Sequence, residues 1–154
     1  NQQLLQEIIN WIYSRVARLP DYVQPFFSQG GWEGWIQVEL AMYLTSRDYD
    51  VVRESRIYNM NNYRADLVVN SNINGVKNIA VEIKCQSIYS QQYLQLNTYE
   101  HDIQRLISLG ADWNAIMLIF VVEPGLLDLL SGNGYAHVMA RNMALCYKEI
   151  ISVE

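Results

Sequence analysis

Cysteine and histidine are both rare in this chain, two of each in 154 residues, and that scarcity removes several chemistries at once. Cys85 and Cys146 are too few for a disulfide framework or a cysteine zinc cluster, and Cys85 falls in a stretch that reads as buried strand. Free thiols and a reducing compartment are expected. His101 adjoins Glu100 and Asp102, but successive helical residues point in different directions and cannot chelate one ion together. His137 has no partner at a recognisable spacing, and neither histidine lies near a nucleophile elbow, which excludes a Ser-His-Asp site. Gly30 and Gly31 precede a helix without the lysine or the spacing of a P-loop. Long apolar runs are missing too, since nothing approaches the roughly 18 to 20 residues of a bilayer span. The best candidate, residues 116–122, is short, and a soluble, cytoplasmic protein without membrane contact is expected.

Positive charge is also in short supply. Eleven Lys and Arg face 16 Asp and Glu, giving a net charge of -5 and a pI near 5.0. Nonspecific nucleic-acid binding draws its affinity from many Lys and Arg contacts to phosphates, so this balance argues against a broad basic groove. Carboxylates collected at a metal site lower the net charge in the same way, and a bound ion reverses their local sign. Apolar residues, by contrast, make up 51% of the chain, enough for a substantial core at one-domain length. A single domain over residues 1–154 is expected. The chain begins at Asn1 rather than Met, which suits a processed product or a domain cut from something larger, and no signal-peptide pattern marks its start.

Leu5, Ile8, Ile12, Val16 and Leu19 recur at helical spacing over residues 3–19, and Pro20 closes this amphipathic helix. Residues 20–31 carry two prolines and two glycines and read as a connection, followed by a second helix over about 32–45 that is apolar nearly all round. Residues 51–58 and 64–69 read as a strand hairpin, and the turn-rich 70–75 leads into a third strand over 79–85. A helix over about 92–109 ends at Gly110, and 116–122 is continuously apolar, as in a strand covered on both faces. Beyond Pro124 the pattern is ambiguous: 126–130 suits one helical turn, 132–134 a loop, and 136–150 either helix or strand. The expected class is α/β, with a central mixed sheet flanked by helices and an extra N-terminal helix.

The third strand carries the chemistry. Alternate side chains of a strand share a face, so Glu82 and Lys84 project together while Val81, Ile83 and Cys85 point into the opposite layer. On the preceding strand Asp66 stands between Ala65 and Leu67 in the same way, and the polar positions of the two strands can converge. Two carboxylates and a lysine suit phosphodiester hydrolysis: carboxylate oxygens are hard ligands for Mg²⁺ or Mn²⁺, which activates water and stabilises charge on phosphorus. Lysine adds a cation or positions the attacking water. A bare Glu-x-Lys is also common as an exposed pair on a solvated strand, so its surroundings decide. Glu39 stands seven positions after Trp32 and four after Trp35, which puts it on their stripe and facing inward. There it needs either a metal or a salt bridge, to Arg53, Arg56 or Arg64. Glu54 already has arginines beside it and reads as structurally paired.

With Arg64-Ala65-Asp66-Leu67-Val68-Val69 followed by Ala80-Val81-Glu82-Ile83-Lys84-Cys85-Gln86, and Glu39 on the helix before them, the chain resembles the PD-(D/E)XK nuclease superfamily. The resemblance covers about residues 32–122 and implies a restriction-endonuclease-like core of helix, three strands, helix and strand. It implies Asp66 and Glu82 as metal ligands, Lys84 as the catalytic lysine, and Glu39 as a further ligand or supporting acid, with Mg²⁺ or Mn²⁺ as cofactor. Ala65 stands where the motif has proline. Gln95 and Tyr99 form a Gln-x-x-x-Tyr pair on one helical face, similar to the motif bordering the active site of RecB-like members, and Gln86 continues the face of Glu82 and Lys84, where it could contact substrate. The implied activity is metal-dependent hydrolysis of nucleic acid, DNA in particular.

Two alternatives stay open: an interaction or regulatory module that keeps the nuclease fold without catalysis, and the toxic nuclease domain of a larger bacterial effector, delivered to a target cell. An acidic nuclease would need local positive surface from Arg53, Arg56, Arg64 and Arg105, or a protein partner that delivers the substrate or inhibits the enzyme. The four tryptophans and 11 tyrosines suggest base stacking less than core filling, because Trp11, Trp32 and Trp35 lie on apolar helical stripes.

Overall fold

The computed structural model describes residues 2–20, 22, 32–59, 62–70, 73–86, 92–141 and 143–151. Its elements are α1 (Gln2–Ser14), a 3-10 turn (Val16–Arg18), α2 (Glu33–Ser46), β1 (Val51–Ser55), β2 (Ala65–Val69), β3 (Asn78–Cys85), α3 (Gln92–Ile107), β4 (Trp113–Val121), α4 (Pro124–Gly132), β5 (Ala136–Ala140) and β6 (Met143–Ile151). The connection expected over residues 20–31 lies almost wholly outside the described residues.

Six strands form one sheet in the order β1-β2-β3-β4-β6-β5. Neighbours are antiparallel except β3 and β4, which run parallel and are joined by α3, so the sheet is mixed. Alternation of side chains divides the core into two layers. Val81, Ile83, Ile116, Leu118 and Phe120 meet α1 and α2 on one face. Ala80, Ala115, Met117, Ile119 and Val121 meet α3 and α4 on the other. The continuous apolar run of β4 is thereby covered on both sides, as its composition requires. Phe120 is held edge-on between Trp11 at 6.1 Å and Trp32 at 5.6 Å between ring centroids, which seats the N-terminal end of α2 against the C-terminal end of β4.

Two expectations shift. The first helix stops at Ser14 and continues as a 3-10 turn that keeps Val16 buried, where the spacing alone had carried an α-helix to Leu19. The ambiguous tail resolves into a helix, α4, opened by Pro124 at its first position, and a β5–β6 hairpin whose turn residue Arg141 has a φ of 57°. Ala, Met, Leu, Lys and Glu in that tail favour helix intrinsically; pairing of β6 along the whole free edge of β4 overrides the preference. Among the described residues no helix is long and apolar enough to cross a membrane.

Candidate functional site

β3 outlasts one of its neighbours. Its ladder with β2 runs from Val69 opposite Ile79 to Leu67 opposite Val81, whereas its ladder with β4 continues to Cys85 opposite Phe120. Alternate N–H groups of a central strand face alternate neighbours. Gln86 N donates to Phe120 O at 2.9 Å, on the β4 side. The N–H groups of Ile83 and Cys85 therefore face the gap where β2 has diverged, and two carboxylates take the place of the missing strand. Asp66 Oδ2 accepts from Ile83 N at 2.7 Å, and Glu33 Oε1 accepts from Cys85 N at 2.9 Å. A buried backbone donor left bare would cost roughly 1–3 kcal/mol, so both acids are fixed by the strand they serve.

The gap is polar on every side. Gln37 on α2 donates to Asp66 Oδ1 at 2.9 Å, and Arg53 on β1 donates to Gln37 Oε1 at 3.1 Å. Glu82, only 4% exposed, accepts from the Tyr58 hydroxyl at 2.7 Å. Asp66 and Glu82 lie within hydrogen-bonding reach of each other. Burial first, and then the Asp66 charge, push the Glu82 carboxyl up to about 8 against the pull of Tyr58 and Lys84. Burial also raises Asp66, opposed by the Ile83 N–H and the Glu82 contact. Burial and the neighbouring Asp66 charge thus favour the protonated form of Glu82. Burial and the Glu82 charge raise Tyr58 well above the ordinary phenol range, which keeps it a donor.

Lys84 shares the Glu82 face but is anchored elsewhere. Its Nζ is 3.3 Å from Asp102 Oδ2 on α3, and the same carboxylate binds the Arg105 guanidinium. Asp102 is 2% exposed, a fully buried charge tolerated because two cations share it.

Of the residues expected at the site, Asp66 and Glu82 are neighbours, and Lys84 is near enough for its charge to act on both while its ammonium pairs with Asp102. Gln95 and Tyr99 occupy the buried, sheet-facing side of α3, at 8% and 4% exposure. Glu39 is not brought to them. It lies about 200° around α2 from Gln37, in a cleft with Trp11 and Trp35, and its partner is Arg15 at 4.0 Å rather than a strand arginine. The acid that α2 does contribute is Glu33, one turn before Gln37. Gln86 is also corrected. It is 1% exposed and occupied, with Oε1 accepting from Val122 N at 2.8 Å and Glu123 N at 3.0 Å, and Nε2 donating to Glu123 Oε2 at 3.1 Å. It ties the end of β3 to the end of β4 and has no face for substrate. Glu54 pairs with Arg64 at 3.8 Å on the surface, as expected, and its φ of 50° bends β1 beside Asp66.

Glu33, Gln37, Tyr58 and Asp102 were not singled out from sequence as parts of the site, and Arg105 was named only for its positive surface. Asp102 had a usable signal: Gln95, Tyr99 and Asp102 fall at i, i+4 and i+7, one face of α3. Both thiols are free, and burial raises Cys85 far above the ordinary range and Cys146 up to about 12, so neither acts as a thiolate.

A divalent ion fits the Asp66–Glu82 pair in donor chemistry: two hard oxygen donors sharing a proton that a cation would displace. Among the described residues no group of three or more His, Cys, Asp or Glu is placed to hold a metal ion. No family model, characterised protein or solved structure matches the chain.

Proposed function

We propose that this chain is a metal-dependent phosphodiesterase of PD-(D/E)XK type that cleaves DNA. The observation that carries the reading is the Asp66–Glu82 pair in the gap where β2 diverges from β3, with Glu82 buried and its carboxyl pushed up to about 8 by that burial and by the Asp66 charge. The order α2, β1, β2, β3, α3, β4 agrees with a restriction-endonuclease-like core. Asp66 and Glu82 are the residues that would hold Mg²⁺ or Mn²⁺, and a bound ion supplies charge stabilisation at phosphorus and a more acidic water.

The chain's own side chains account for the rest. Gln37 and the Ile83 N–H fix both oxygens of Asp66, and Tyr58 fixes Glu82, so the ligand pair needs little reorganisation. Lys84 presents an ammonium on the Glu82 face, where it attracts the anionic phosphodiester and orients a nucleophilic water. Asp102 sets the position of that ammonium. The -5 net charge makes this local cation matter more, because the chain as a whole repels a polyanion.

A second reading, an interaction module without catalysis, is favoured by one feature: Lys84 and Glu82 already have partners, Asp102 and Tyr58. A nuclease assay with Mg²⁺ and Mn²⁺ on plasmid and linear DNA separates the two. Cleavage by the wild type should drop at least about a hundredfold in Glu82→Ala and Lys84→Ala. Equal activity in all three, or none with any metal, would sink the enzymatic reading.

A further inference from the structure

An open pocket of about 450 Å³ lies beside the proposed site, lined by Tyr63, His101, Gln104, Arg105 and Ser108. Its volume is in the range of small-ligand sites, roughly 300–1,000 Å³. Both halves of the pocket are tied to the chemistry: Tyr63 stands three residues before Asp66, and Arg105 follows Asp102 by one helical turn and binds it. The charge of Arg105 is also felt at Tyr58, the partner of Glu82. Within the pocket the Arg105 guanidinium carbon sits 4.1 Å from the Tyr63 ring centroid, a cation–π contact.

Two features give this surface a chemistry. Tyr63 is 41% exposed, which leaves part of its ring open to solvent. Arg105 has five N–H donors in a rigid fork, only part of which Asp102 engages, and the His101 imidazole stands one helical turn before it. A guanidinium in cation–π contact with an exposed ring, with amide and hydroxyl groups of Gln104 and Ser108 alongside, matches the needs of a nucleotide: a π-face for the base and donors for a phosphate.

We propose that this pocket binds the nucleotide adjoining the scissile phosphodiester on a single-stranded or unpaired stretch of DNA, its base stacking on the Tyr63–Arg105 platform and its phosphate directed at Arg105 and His101. The proposal rests on the nuclease reading for its substrate class. Stacking tolerates any base, so the pocket selects strand flexibility and not sequence. It also supplies the positive surface that the overall charge denies.

The test is equilibrium binding of a short single-stranded oligonucleotide containing 2-aminopurine, in low-salt buffer with EDTA so that no cleavage occurs. Wild type and Tyr63→Phe should bind it and quench the fluorophore. Tyr63→Ala, a change at an exposed position, should bind roughly tenfold more weakly and lose the quench. His101→Ala should weaken binding through the lost hydrogen-bond donor. Binding and quenching by Tyr63→Ala equal to wild type, or no binding by wild type, overturns the proposal. The two readings fail separately: Tyr63-dependent binding without cleavage in Mn²⁺ removes the nuclease and keeps the pocket, whereas cleavage with Tyr63-independent binding does the reverse.

Discussion

Replacing Asp102 by Asn removes the charge that Lys84 and Arg105 share while keeping the shape of the side chain. Deleting one member of a buried ion pair costs about 3–5 kcal/mol, because the charge left behind loses its compensation. Here the two cations are 25% and 22% exposed and can partly hydrate, whereas Asp102 is 2% exposed. That lowers the expected loss to about 2–3 kcal/mol. With a urea m-value of about 2 kcal/mol/M, the unfolding midpoint should fall by about 1–1.5 M. Lys84→Met leaves Asp102 paired with Arg105 and should cost less than about 1 kcal/mol. Urea titration of both variants and the double variant, followed by tryptophan fluorescence, measures the asymmetry. A loss below about 0.5 kcal/mol in Asp102→Asn, or equal losses in the two single variants, would refute the idea that one buried carboxylate anchors both cations. If Lys84 acts in catalysis, Asp102→Asn should also lower kcat with little change in KM, and Asp102→Glu should restore part of it.

Glu39→Ala should leave metal binding and cleavage unchanged and alter stability by no more than about 1 kcal/mol, since its Arg15 partner is 4.0 Å away and largely exposed. Glu33→Ala should cost about 1–3 kcal/mol by stripping the Cys85 N–H of its acceptor, whereas Glu33→Gln should keep most of that stability; differential scanning fluorimetry compares all three. Gln86→Leu should destabilise by about 2–4 kcal/mol through the bare Val122 and Glu123 N–H groups, with no change in DNA affinity beyond what unfolding explains. For Glu82 the folded carboxyl holds its proton up to about 8 and the unfolded one only to the ordinary carboxylate range near 4.5. Between those values the folded state binds more protons, so this contribution to stability is full at the acid end and is lost as pH rises toward 8. The Tm of the metal-free protein should fall more steeply between about pH 5.5 and 8.5 than that of Glu82→Gln; parallel curves would show that the proton is not held.

The parts of this fold that could be read from sequence are those whose periodicity had a single solution. The C-terminal half of β3 alternates from Val81 to Cys85, so Glu82 and Lys84 fall on one face; β4 is apolar from Ala115 onward, which leaves an interior strand as the natural reading. α2 had no such solution. Apolar residues surround it nearly completely, so its rotation was undetermined, and tryptophan spacing pointed to Glu39 when the packing of Trp32 on Phe120 turns Glu33 and Gln37 inward. The divergence of β2 from β3 is a non-local event, and with it the capping of Ile83 and Cys85 by acids distant in sequence. Tyr58 belongs to the same class: its hydroxyl reaches Glu82 only because the chain after β1 folds back over the α3 side of the sheet. The tail was undecided because its residues serve helix and strand alike until β4 offers an edge.

Whether the Asp66–Glu82 pair takes up a divalent cation is decided most directly by calorimetric titration of the intact chain with Mn²⁺ near neutral pH, in two buffers of different ionisation heat. Binding at one site per chain with release of a proton, abolished in Asp66→Asn, is the expected result, because the incoming ion displaces the proton held on Glu82. An absence of saturable binding, or binding that is indifferent to the buffer and to Asp66→Asn, would contradict the metal site and leave the pair as a closed internal cluster.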